Sequence, residues 1–332
     1  MQSKKIVVTG AGGFIGFHLV KKLSEKGFEV LAIDSLQPSY GGNLSELRWD
    51  ELSNLQSVTQ KQIDLTTTTK TELVAILNNA QSIFHLAAFP GVRQGEINKE
   101  KYFLNNVVVT RKILDACAGL KLGKLFIASS SSIYGNLGSV KPVTEEDATG
   151  VNVKSFYAET KWQNELDAIK FAVDLNFPII AARFFTVYGP YGRPDMAYWK
   201  FAQQIEQGEE INLYGKEGGS RNFTFVDDVV DILIALLNAD IDPGFTAVNV
   251  AAGNPITTQI FAEKLGSALG KLVSKFNTVV RPDSDVEKTW ANTNLLHQLI
   301  GDLPKTTLDE GLRKFAYWYL SQGENLRRYK PL

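Results

Sequence analysis

Tyr157 and Lys161 are four residues apart in a helical pattern, so the phenol and the ammonium group lie on one face, one turn apart. A nearby cation stabilises a phenolate and lowers the tyrosine pKa, which makes the side chain a usable base for a hydroxyl group. A serine run, residues 129–132, ends a strand-like segment upstream, and Ser130 precedes Tyr157 by 27 residues. A hydroxyl there can hydrogen-bond a reacting oxygen and stabilise its developing charge. The spacing alone is unspecific, but its position after the serine run indicates chemistry on a hydroxyl group.

A glycine-rich turn follows the first strand-like segment, residues 6–8, and opens an amphipathic helix. Gly10, Gly13 and Gly16 permit a tight turn and a close approach of backbone to ligand, and the helix N-terminus offers unpaired N–H groups to a pyrophosphate. Asp34 closes the next strand about 20 residues later, where an acid can accept a hydrogen bond from a ribose 2′-hydroxyl. Since this acid would repel the 2′-phosphate of NADP, the pattern predicts NAD.

Asp64 and Leu65 follow another strand-like segment, residues 61–63. They are predicted to bracket the adenine. Taken alone, Asp64 is as readily explained as a helix N-cap or turn aspartate.

Short β-rich runs alternate with helical patterns through the first half of the chain. The strand-like segments are residues 6–8, 29–33, 82–86, 124–128 and 179–182, with a later one at 247–250. This alternation predicts an α/β fold, a doubly wound Rossmann-type parallel sheet with a smaller, interleaved C-terminal α/β substrate domain. The expected NAD-binding Rossmann domain comprises residues 1–183 plus 225–256. The expected nucleotide-sugar-binding domain comprises residues 184–224 plus 257–332.

The composition excludes several function classes. The chain has 332 residues, with 35 Lys and Arg against 36 Asp and Glu, so its net charge of -1 offers no general attraction for nucleic acid or an anionic membrane. Neither a secretory signal nor a membrane span is expected. The single cysteine, Cys117, is expected to be buried, and a cytoplasmic location fits. The histidines lack metal-ligand spacing, so no metal site is expected.

Several longer motifs carry a family resemblance. They are residues 13–19 (GFIGFHL), 85–88 (HLAA), 129–135 (SSSSIYG), 183–197 (RFFTVYGPYGRPDMA) and 221–228 (RNFTFVDD). With these motifs in this order, the chain resembles the extended short-chain dehydrogenases/reductases and, within them, the UDP-glucuronate 4-epimerases.

The resemblance implies an isomerase: a NAD-dependent 4-epimerase that converts UDP-glucuronate to UDP-galacturonate by transient oxidation at C4. It implies Tyr157 as base, Lys161 on the nicotinamide ribose and the tyrosine pKa, and Ser130 beside the reacting oxygen. The implied cofactor contacts, besides Tyr157 and Lys161, are Gly10, Gly13, Phe14, Ile15, Gly16, Asp34, Asp64, Leu65, Leu86, Ala87, Ala88 and Asn106. The implied substrate contacts are Arg93, Ser131, Ser132, Thr186, Arg193, Arg221 and Arg281.

The arginines have separate expected roles. Arg221 and Arg281 match family positions that bind the UDP pyrophosphate, and bidentate guanidinium groups suit phosphate oxygens. Arg193 is the expected partner of a uronate carboxylate, the alternative being an arginine that braces its loop beside Pro194 and Asp195.

Three departures from the family pattern are expected to lie near the sugar. Tyr191 replaces a usual tryptophan, Asn222 replaces a usual aspartate, and residues 94–96 (QGE) differ from the usual sequence. They leave the reaction type intact and keep UDP-glucose and UDP-N-acetylglucosamine open as substrates.

Two other functions compete with epimerisation. Nucleotide-sugar decarboxylases and 4,6-dehydratases need a carboxylate after the catalytic hydroxyl, where this chain has Ser131 and Ser132, and a hydroxyl cannot readily transfer protons at neutral pH. A cofactor-binding regulator without catalysis would not need Tyr157, Lys161 and Ser130 together. A homodimer is expected through helices at 98–118 and 157–173, which match the two-fold four-helix interface usual in the superfamily.

Overall fold

The computed structural model describes residues 5–37, 44–273, 275–283, 285–302, 304–322 and 324–327, with the side chains of residues 93, 216, 324 and 325 excepted. Within these residues the strands are β1 (Lys5–Thr9), β2 (Glu29–Asp34), β3 (Val58–Gln62), β4 (Ser82–His85), β5 (Lys124–Ser130), β6 (Pro178–Phe184), β7 (Thr186–Tyr188), β8 (Ile211–Tyr214), β9 (Ser220–Arg221), β10 (Phe223–Phe225), β11 (Gly244–Val250), β12 (Ile256–Thr257) and β13 (Phe276–Val279).

The α-helices of the same residues are α1 (Phe14–Glu25), α2 (Leu44–Ser53), α3 (Lys70–Leu77), α4 (Val92–Ile97), α5 (Lys99–Tyr102), α6 (Val109–Cys117), α7 (Phe156–Ala172), α8 (Ala197–Gln207), α9 (Val226–Asn238), α10 (Thr258–Ala268), α11 (Asn294–Ile300), α12 (Leu308–Ser321) and α13 (Glu324–Arg327). A π-helical segment, Phe103–Val108, joins α5 to α6, and short 3-10 turns occupy Ser131–Tyr134, Leu137–Ser139, Glu145–Asp147 and Lys216–Gly218.

The central sheet has seven parallel strands in the order β11-β6-β5-β4-β1-β2-β3. This is the doubly wound order. Strands β2 and β3 are added on one side of β1, and β4, β5, β6 and β11 on the other, so the strand order reverses between β1 and β4, and ligands bind beyond the carboxyl ends of the strands there. Thr9, Asp34, His85 and Ser130 are the last residues of four of these strands, so they lie along that edge. The predicted α/β Rossmann-type fold is confirmed.

Each face of the sheet is covered by a separate apolar layer. One layer packs α1 and α9 on the strands through side chains such as Phe17 and Leu233. The other packs α3, α6 and α7 and includes Ile113 and Cys117, and burial raises the pKa of the Cys117 thiol to about 12. The prediction of a buried cysteine is confirmed. Because both faces are covered, ligands have access only at the strand ends.

A third, aromatic cluster lies outside the main sheet. It packs α8, α10 and α12 around Trp199, Phe261 and Phe315, next to the parallel pair β8 and β13. Helix α8 therefore presents one side to this cluster, and its residues Lys200, Gln203 and Gln204 line a cavity on the other.

The helix expected at residues 98–118 is present from Lys99 to Cys117, but it is not a regular α-helix throughout. Its middle is the π-helical segment, and Asn106 lies in that segment with its side chain completely buried. π-Helical turns are frequent at functional sites. Among the described residues, no helix is long and apolar enough to span a bilayer.

Candidate active site

Helix α7 carries the expected catalytic pair, and we call it the catalytic helix. Ser155 caps its N-terminus by accepting a hydrogen bond from the Ala158 N–H. Tyr157, Lys161 and Glu165 follow at intervals of four, so all three side chains lie on the face that packs against the ends of β5 and β6.

Lys161 is buried, and its ammonium donates to the Ala128 carbonyl of β5 at 3.0 Å. Its Nζ lies 5.8 Å from the centroid of the Tyr157 ring. The Ser130 hydroxyl accepts hydrogen bonds from the Ser132 N–H at 3.2 Å and the Ser132 hydroxyl at 3.0 Å. Its own proton is therefore available for Tyr157, and the interaction with Ser130 opposes the rise of the Tyr157 pKa. The structure thus brings Tyr157, Lys161 and Ser130 together.

Burial opposes the expected activation of the tyrosine. It raises the pKa of Tyr157 above its ordinary value, while the charge of Arg193 and the hydrogen bond with Ser130 act in the opposite direction. Burial also lowers the pKa of Lys161, to about 8. The effect of Lys161 on the tyrosine pKa stays a prediction, because burial is the largest influence on the Tyr157 pKa in the protein by itself and the opposing influences are Arg193 and Ser130.

A buried ion pair fastens the catalytic helix to the sheet. The Arg183 guanidinium of β6 donates to both oxygens of Glu165, at 3.0 and 2.7 Å, and both side chains are at most 4% exposed. The Ser129 hydroxyl donates to the same carboxylate. Since Ser129 adjoins Ser130, the ion pair positions the catalytic serine as well as the helix. The spacing of Glu165 from Lys161 was the signal that could have found it.

The glycine-rich turn, residues 10–16, has the geometry expected for a pyrophosphate; we call it the dinucleotide turn. Gly10 has φ +72°, and a Cβ there would lie 2.6 Å from the Ala87 nitrogen. A Cβ on Gly16 would collide with the Gly10 carbonyl. Helix α1 begins without a side-chain cap and without an acid in its first turn, so its N–H groups suit an anion. These residues fit a dinucleotide.

Asp34 stands beside this turn at the end of β2. Its carboxylate accepts hydrogen bonds from the Gly12 N–H at 2.9 Å and the Leu36 N–H at 2.8 Å. Burial raises its pKa, and these two bonds oppose the rise. Asp34 lines a small cavity of about 100 Å³ together with Asp64, Leu65 and Ala87, as expected for an adenosine site. Asp64 also braces its own turn by accepting from the Thr66 N–H at 2.9 Å, so both interpretations of this residue stay open.

Asn106 bonds protein groups with its whole side-chain amide. Its amide oxygen accepts from the Phe89 N–H at 2.7 Å, and its amide nitrogen donates to the Phe89 carbonyl and to Thr160, both at 3.1 Å. The side chain is completely buried. Its contact with the cofactor stays a prediction; in the protein by itself the amide holds the segment after β4 against the catalytic helix.

His85, for which no role was predicted, connects three elements through hydrogen bonds. The Thr110 hydroxyl donates to the Asn106 carbonyl, so it accepts from His85 Nε2 at 3.1 Å. His85 Nδ1 then accepts from the Thr9 hydroxyl at 2.8 Å. Burial lowers the pKa of His85 to about 3, so the ring is neutral and this tautomer links β1, β4 and the helix region.

The main cavity has a volume of about 940 Å³ and extends from the dinucleotide turn to helix α8. The predicted site residues that line it are Gly10, Gly13, Phe14, Ile15, Gly16, Leu86, Ala88, Ser130, Ser131, Ser132, Tyr157, Lys161, Thr186, Arg193 and Arg221.

Arg193 forms a bidentate ion pair inside this cavity. Its Nε and Nη2 donate to the two oxygens of Asp195 at 3.0 and 2.6 Å. Its charge still reaches Tyr157, since it opposes the rise of the tyrosine pKa. Arg193 therefore braces its loop and faces the catalytic residues at the same time.

The two expected phosphate ligands converge on one loop. Arg221 donates to Asp285 at 2.8 Å and to the Val286 carbonyl at 2.6 Å, and Arg281 donates to the same carbonyl at 2.6 Å. Arg281 also donates to the Tyr214 carbonyl, and it is not among the described residues that line the cavity. The side chain of Arg93 lies outside the described residues.

Two of the three departures from the family pattern do not face the sugar cavity. The Tyr191 ring packs between Phe17 and Trp318, at centroid distances of 4.8 and 5.0 Å. Asn222 is completely buried and donates to the Ala252 and Gly253 carbonyls at 3.0 Å. Their expected position near the sugar is wrong, because the Tyr191 ring packs on aromatic rings and the Asn222 amide is bonded to buried backbone carbonyls. Gln94 does line the cavity.

A family model described as the NAD dependent epimerase/dehydratase family matches residues 6–251. The chain belongs to this family. A probable UDP-glucuronate 4-epimerase of Rhizobium meliloti is 33% identical over 343 residues, covering 98% of each chain.

Solved structures of the NAD-dependent epimerase/dehydratase family superpose closely on the chain. UDP-glucuronic acid 4-epimerase from Bacillus cereus, in complex with UDP-glucuronic acid and NAD, has a TM-score of 0.87 and 29% identity over 95% of this chain and 98% of that one. UDP-N-acetylglucosamine 4-epimerase from Methanobrevibacter ruminantium has a TM-score of 0.86 and 27% identity over 97% and 100%. Membership of the family confirms the predicted resemblance and NAD as the cofactor.

The pH dependence of this epimerase/dehydratase tests the role of Lys161. We expect kcat/KM to fall as the pH rises through about 8, because the pKa of Lys161 is about 8 and its charge is lost above that value. In Lys161→Arg the guanidinium stays protonated, so this fall is expected to disappear. The profile is measured from about pH 6 to about pH 10. The exposed Lys170→Arg serves as control, and an unchanged fall in Lys161→Arg would assign the titration to another group.

Proposed function

We propose that the protein is a NAD-dependent 4-epimerase that interconverts UDP-glucuronate and UDP-galacturonate. The observation that carries this proposal is the presence of Arg193 in the same cavity as Tyr157 and Ser130, close enough to influence the tyrosine pKa. A carboxylate on C5 of a sugar needs a cationic partner when it leaves water. The 33% identical relative named as a probable UDP-glucuronate 4-epimerase supports the same substrate.

In the proposed reaction Tyr157 accepts the proton of the sugar O4, and Ser130 donates a hydrogen bond to that oxygen. Lys161 keeps a positive charge beside the tyrosine and, with the dinucleotide turn and Asp34, holds the cofactor. NAD supplies reversible oxidation at C4 when it is bound. Tyr157 then returns the proton to O4 after the keto sugar has rotated in the site and presents its other face.

The size and extent of the cavity suit a UDP-sugar placed beside the cofactor, because the cavity runs from the dinucleotide turn to helix α8. Its volume of about 940 Å³ is near the upper end of ligand pockets, which span about 300–1,000 Å³. Arg221 lines its far part, where it would hold the pyrophosphate with Arg281 nearby. A sugar anchored through its UDP group would then lie between Arg221 and the dinucleotide turn, with Ser131, Ser132 and Thr186 around its ring.

Epimerisation is favoured over decarboxylation or dehydration by the positions of the acids. Among the described residues that line the cavity, the carboxylates are Asp195, Glu209 and Asp285. Asp195 is paired with Arg193, and Asp285 with Arg221. The residues after the catalytic serine are hydroxyls, which are poor acids and bases at neutral pH.

A neutral UDP-hexose is the second candidate substrate. The observation that favours it is the pairing of Arg193 with Asp195, which already balances the guanidinium charge. The similarity to a UDP-N-acetylglucosamine 4-epimerase points the same way.

We also propose a homodimer in the cytoplasm, formed through the α5–α6 region and the catalytic helix. These neighbouring elements expose apolar side chains, among them Phe103 (45%), Ile169 (43%) and Val173 (82%). A second copy of the same surface would cover them and give a two-fold four-helix interface. The single, buried cysteine suits a reducing compartment.

The primary test is turnover by purified protein. NMR or chromatography is expected to detect UDP-galacturonate from UDP-glucuronate, and Tyr157→Phe is expected to lower the rate by about a thousandfold while NAD stays bound, because only the base is lost. Tyr317→Phe is the matched control at an exposed tyrosine. Failure of the wild-type protein with NAD to convert any UDP-hexose or uronate would remove the enzyme proposal.

The substrate carboxylate is tested with Arg193→Gln. We expect the dissociation constant of UDP-glucuronate to rise by about tenfold, because the sugar carboxylate competes with Asp195 for the guanidinium and gains only part of the about 1.5–3 kcal/mol of a charge-assisted hydrogen bond. The inhibition constant of UDP-glucose is expected to change by less than about threefold. Arg313→Gln is the control at an exposed arginine. Equal losses on both sugars would assign Arg193 to loop bracing alone.

The dimer is tested by light scattering after size-exclusion chromatography. The wild-type protein is expected to have the mass of two chains, and Phe103→Glu/Val173→Glu the mass of one, because buried unpaired carboxylates oppose association. Tyr317→Glu, at a site on α12 that is 81% exposed, is expected to stay dimeric. A monomeric wild-type protein would remove this part of the proposal.

A further inference from the structure

Three successive carbonyl groups, those of Pro190, Tyr191 and Gly192, accept hydrogen bonds from side chains of helices α1 and α2. His18 Nε2 donates to the Pro190 carbonyl at 2.9 Å. Arg48 donates from Nε to the Tyr191 carbonyl at 2.9 Å and from Nη2 to the Gly192 carbonyl at 3.1 Å. The next residue is Arg193, so this segment, residues 190–193, is called the arginine loop.

Arg48 also reaches the dinucleotide turn. Its Nη1 donates to the Gly12 carbonyl at 3.0 Å, while the Gly12 N–H donates to Asp34 at 2.9 Å. Gly12 is thereby held from both sides, by the ribose-binding acid and by Arg48. The Arg48 side chain is completely buried. One guanidinium therefore connects the backbone of the cofactor site to the backbone of the arginine loop.

The arginine loop has little freedom to adopt another conformation. Tyr191 has φ +55°, a left-handed conformation that non-glycine residues rarely adopt, and its ring is packed between aromatic neighbours. A Cβ on Gly192 would collide with the Tyr198 hydroxyl, which accepts a hydrogen bond from the Arg193 N–H at 2.8 Å. A shift of the Tyr191 and Gly192 carbonyls would therefore move Arg193 relative to Tyr157.

We propose that Arg48 is a positioning residue that couples NAD binding at the dinucleotide turn to the placement of Arg193 in the sugar cavity. The proposal rests on the proposed function for the meaning of Arg193, but the contacts of Arg48 stand without it. NAD binding orders the turn, the Gly12 carbonyl holds Arg48, and Arg48 holds the arginine loop. Such coupling is reciprocal, so substrate bound at Arg193 strengthens the binding of NAD.

His18 provides the matched comparison. Burial lowers its pKa to about 4, so above that pH it is a neutral donor to the Pro190 carbonyl. His18 hydrogen-bonds the arginine loop, whereas Arg48 hydrogen-bonds both the loop and Gly12 of the dinucleotide turn. Loss of His18 should loosen the loop while leaving the Gly12 carbonyl bonded to Arg48.

The experiment compares Arg48→Met, Arg48→Lys, His18→Ala and, as control, the exposed Arg313→Met. Amide hydrogen exchange of residues 189–196 is measured with and without NAD, together with the Kd of NAD and the KM for UDP-glucuronate. In the wild-type protein NAD is expected to slow exchange in this segment. In Arg48→Met, NAD is expected to lose that effect, and both constants are expected to rise by about tenfold, the equivalent of one lost hydrogen bond.

The variants separate the proposed coupling from a general structural defect. His18→Ala is expected to exchange faster in residues 189–196 with a wild-type Kd for NAD, and Arg313→Met is expected to match the wild type throughout. If Arg48→Met does not fold, as judged by its thermal unfolding, Arg48→Lys decides, because one ammonium cannot bond three separated carbonyls and should also lose the NAD effect.

An NAD effect on residues 189–196 that persists in a folded Arg48 variant would overturn the proposal, and so would its absence from the wild-type protein. Exchange and NAD affinity require no turnover. A protein that shows the coupling but does not convert UDP-glucuronate would contradict the proposed function and leave the coupling established.

Discussion

The catalytic edge of the sheet depends on the ion pair between Glu165 and Arg183. Two charges removed from water are tolerated only when their geometry is good and their remaining donors and acceptors are bonded, and breaking one partner leaves an uncompensated charge. Here the Ser129 hydroxyl donates a further hydrogen bond to the Glu165 carboxylate. The Arg183 guanidinium donates further hydrogen bonds to the Tyr134 hydroxyl at 2.7 Å and to the Glu145 carbonyl at 2.6 Å. The pair therefore fixes how the catalytic helix lies on β5 and β6, and with it the approach of Tyr157 to Ser130.

Burial of this edge has opposite effects on its two ionisable catalytic groups. It raises the pKa of Tyr157 and lowers that of Lys161, because both charged forms lose water. The tyrosine's basicity then depends on the positive charge and the hydrogen bonds gathered around its oxygen. Arg193 contributes to that charge, so the residue assigned to substrate recognition also adjusts the base.

The sequence was sufficient for features whose physics is local. Alternating β-rich and helical periods predicted the parallel sheet. The glycines of the dinucleotide turn predicted a close approach of backbone segments, which the structure has at Gly10 and Gly16. The spacing of Tyr157 and Lys161 on one helix face was equally readable. Each of these signals lies within one element or one turn.

Features that depend on distant parts of the chain were not readable. Arg48 bonds carbonyls 36 and 144 residues away along the sequence, and no pattern in α2 indicates that its arginine is buried. The π-helical segment interrupts an ordinary helical period. Asn106 holds its structural role through hydrogen bonds to Phe89 and Thr160, which are distant in the sequence. Tyr191 and Asn222 were placed near the sugar by family pattern, whereas their packing partners are set by tertiary structure.

For the proposed substrate, the bidentate contact between Arg193 and Asp195 makes carboxylate recognition an exchange of one carboxylate for another. A sugar acid that reaches Arg193 competes with, or shares the guanidinium with, an internal carboxylate that is already well placed. The net gain is the difference between two similar interactions, and so it is smaller than either one. In the proposed reaction Asp195 therefore competes with the sugar carboxylate for Arg193 and limits the affinity of the site for both epimers. A limited affinity allows the enzyme to release product in either direction.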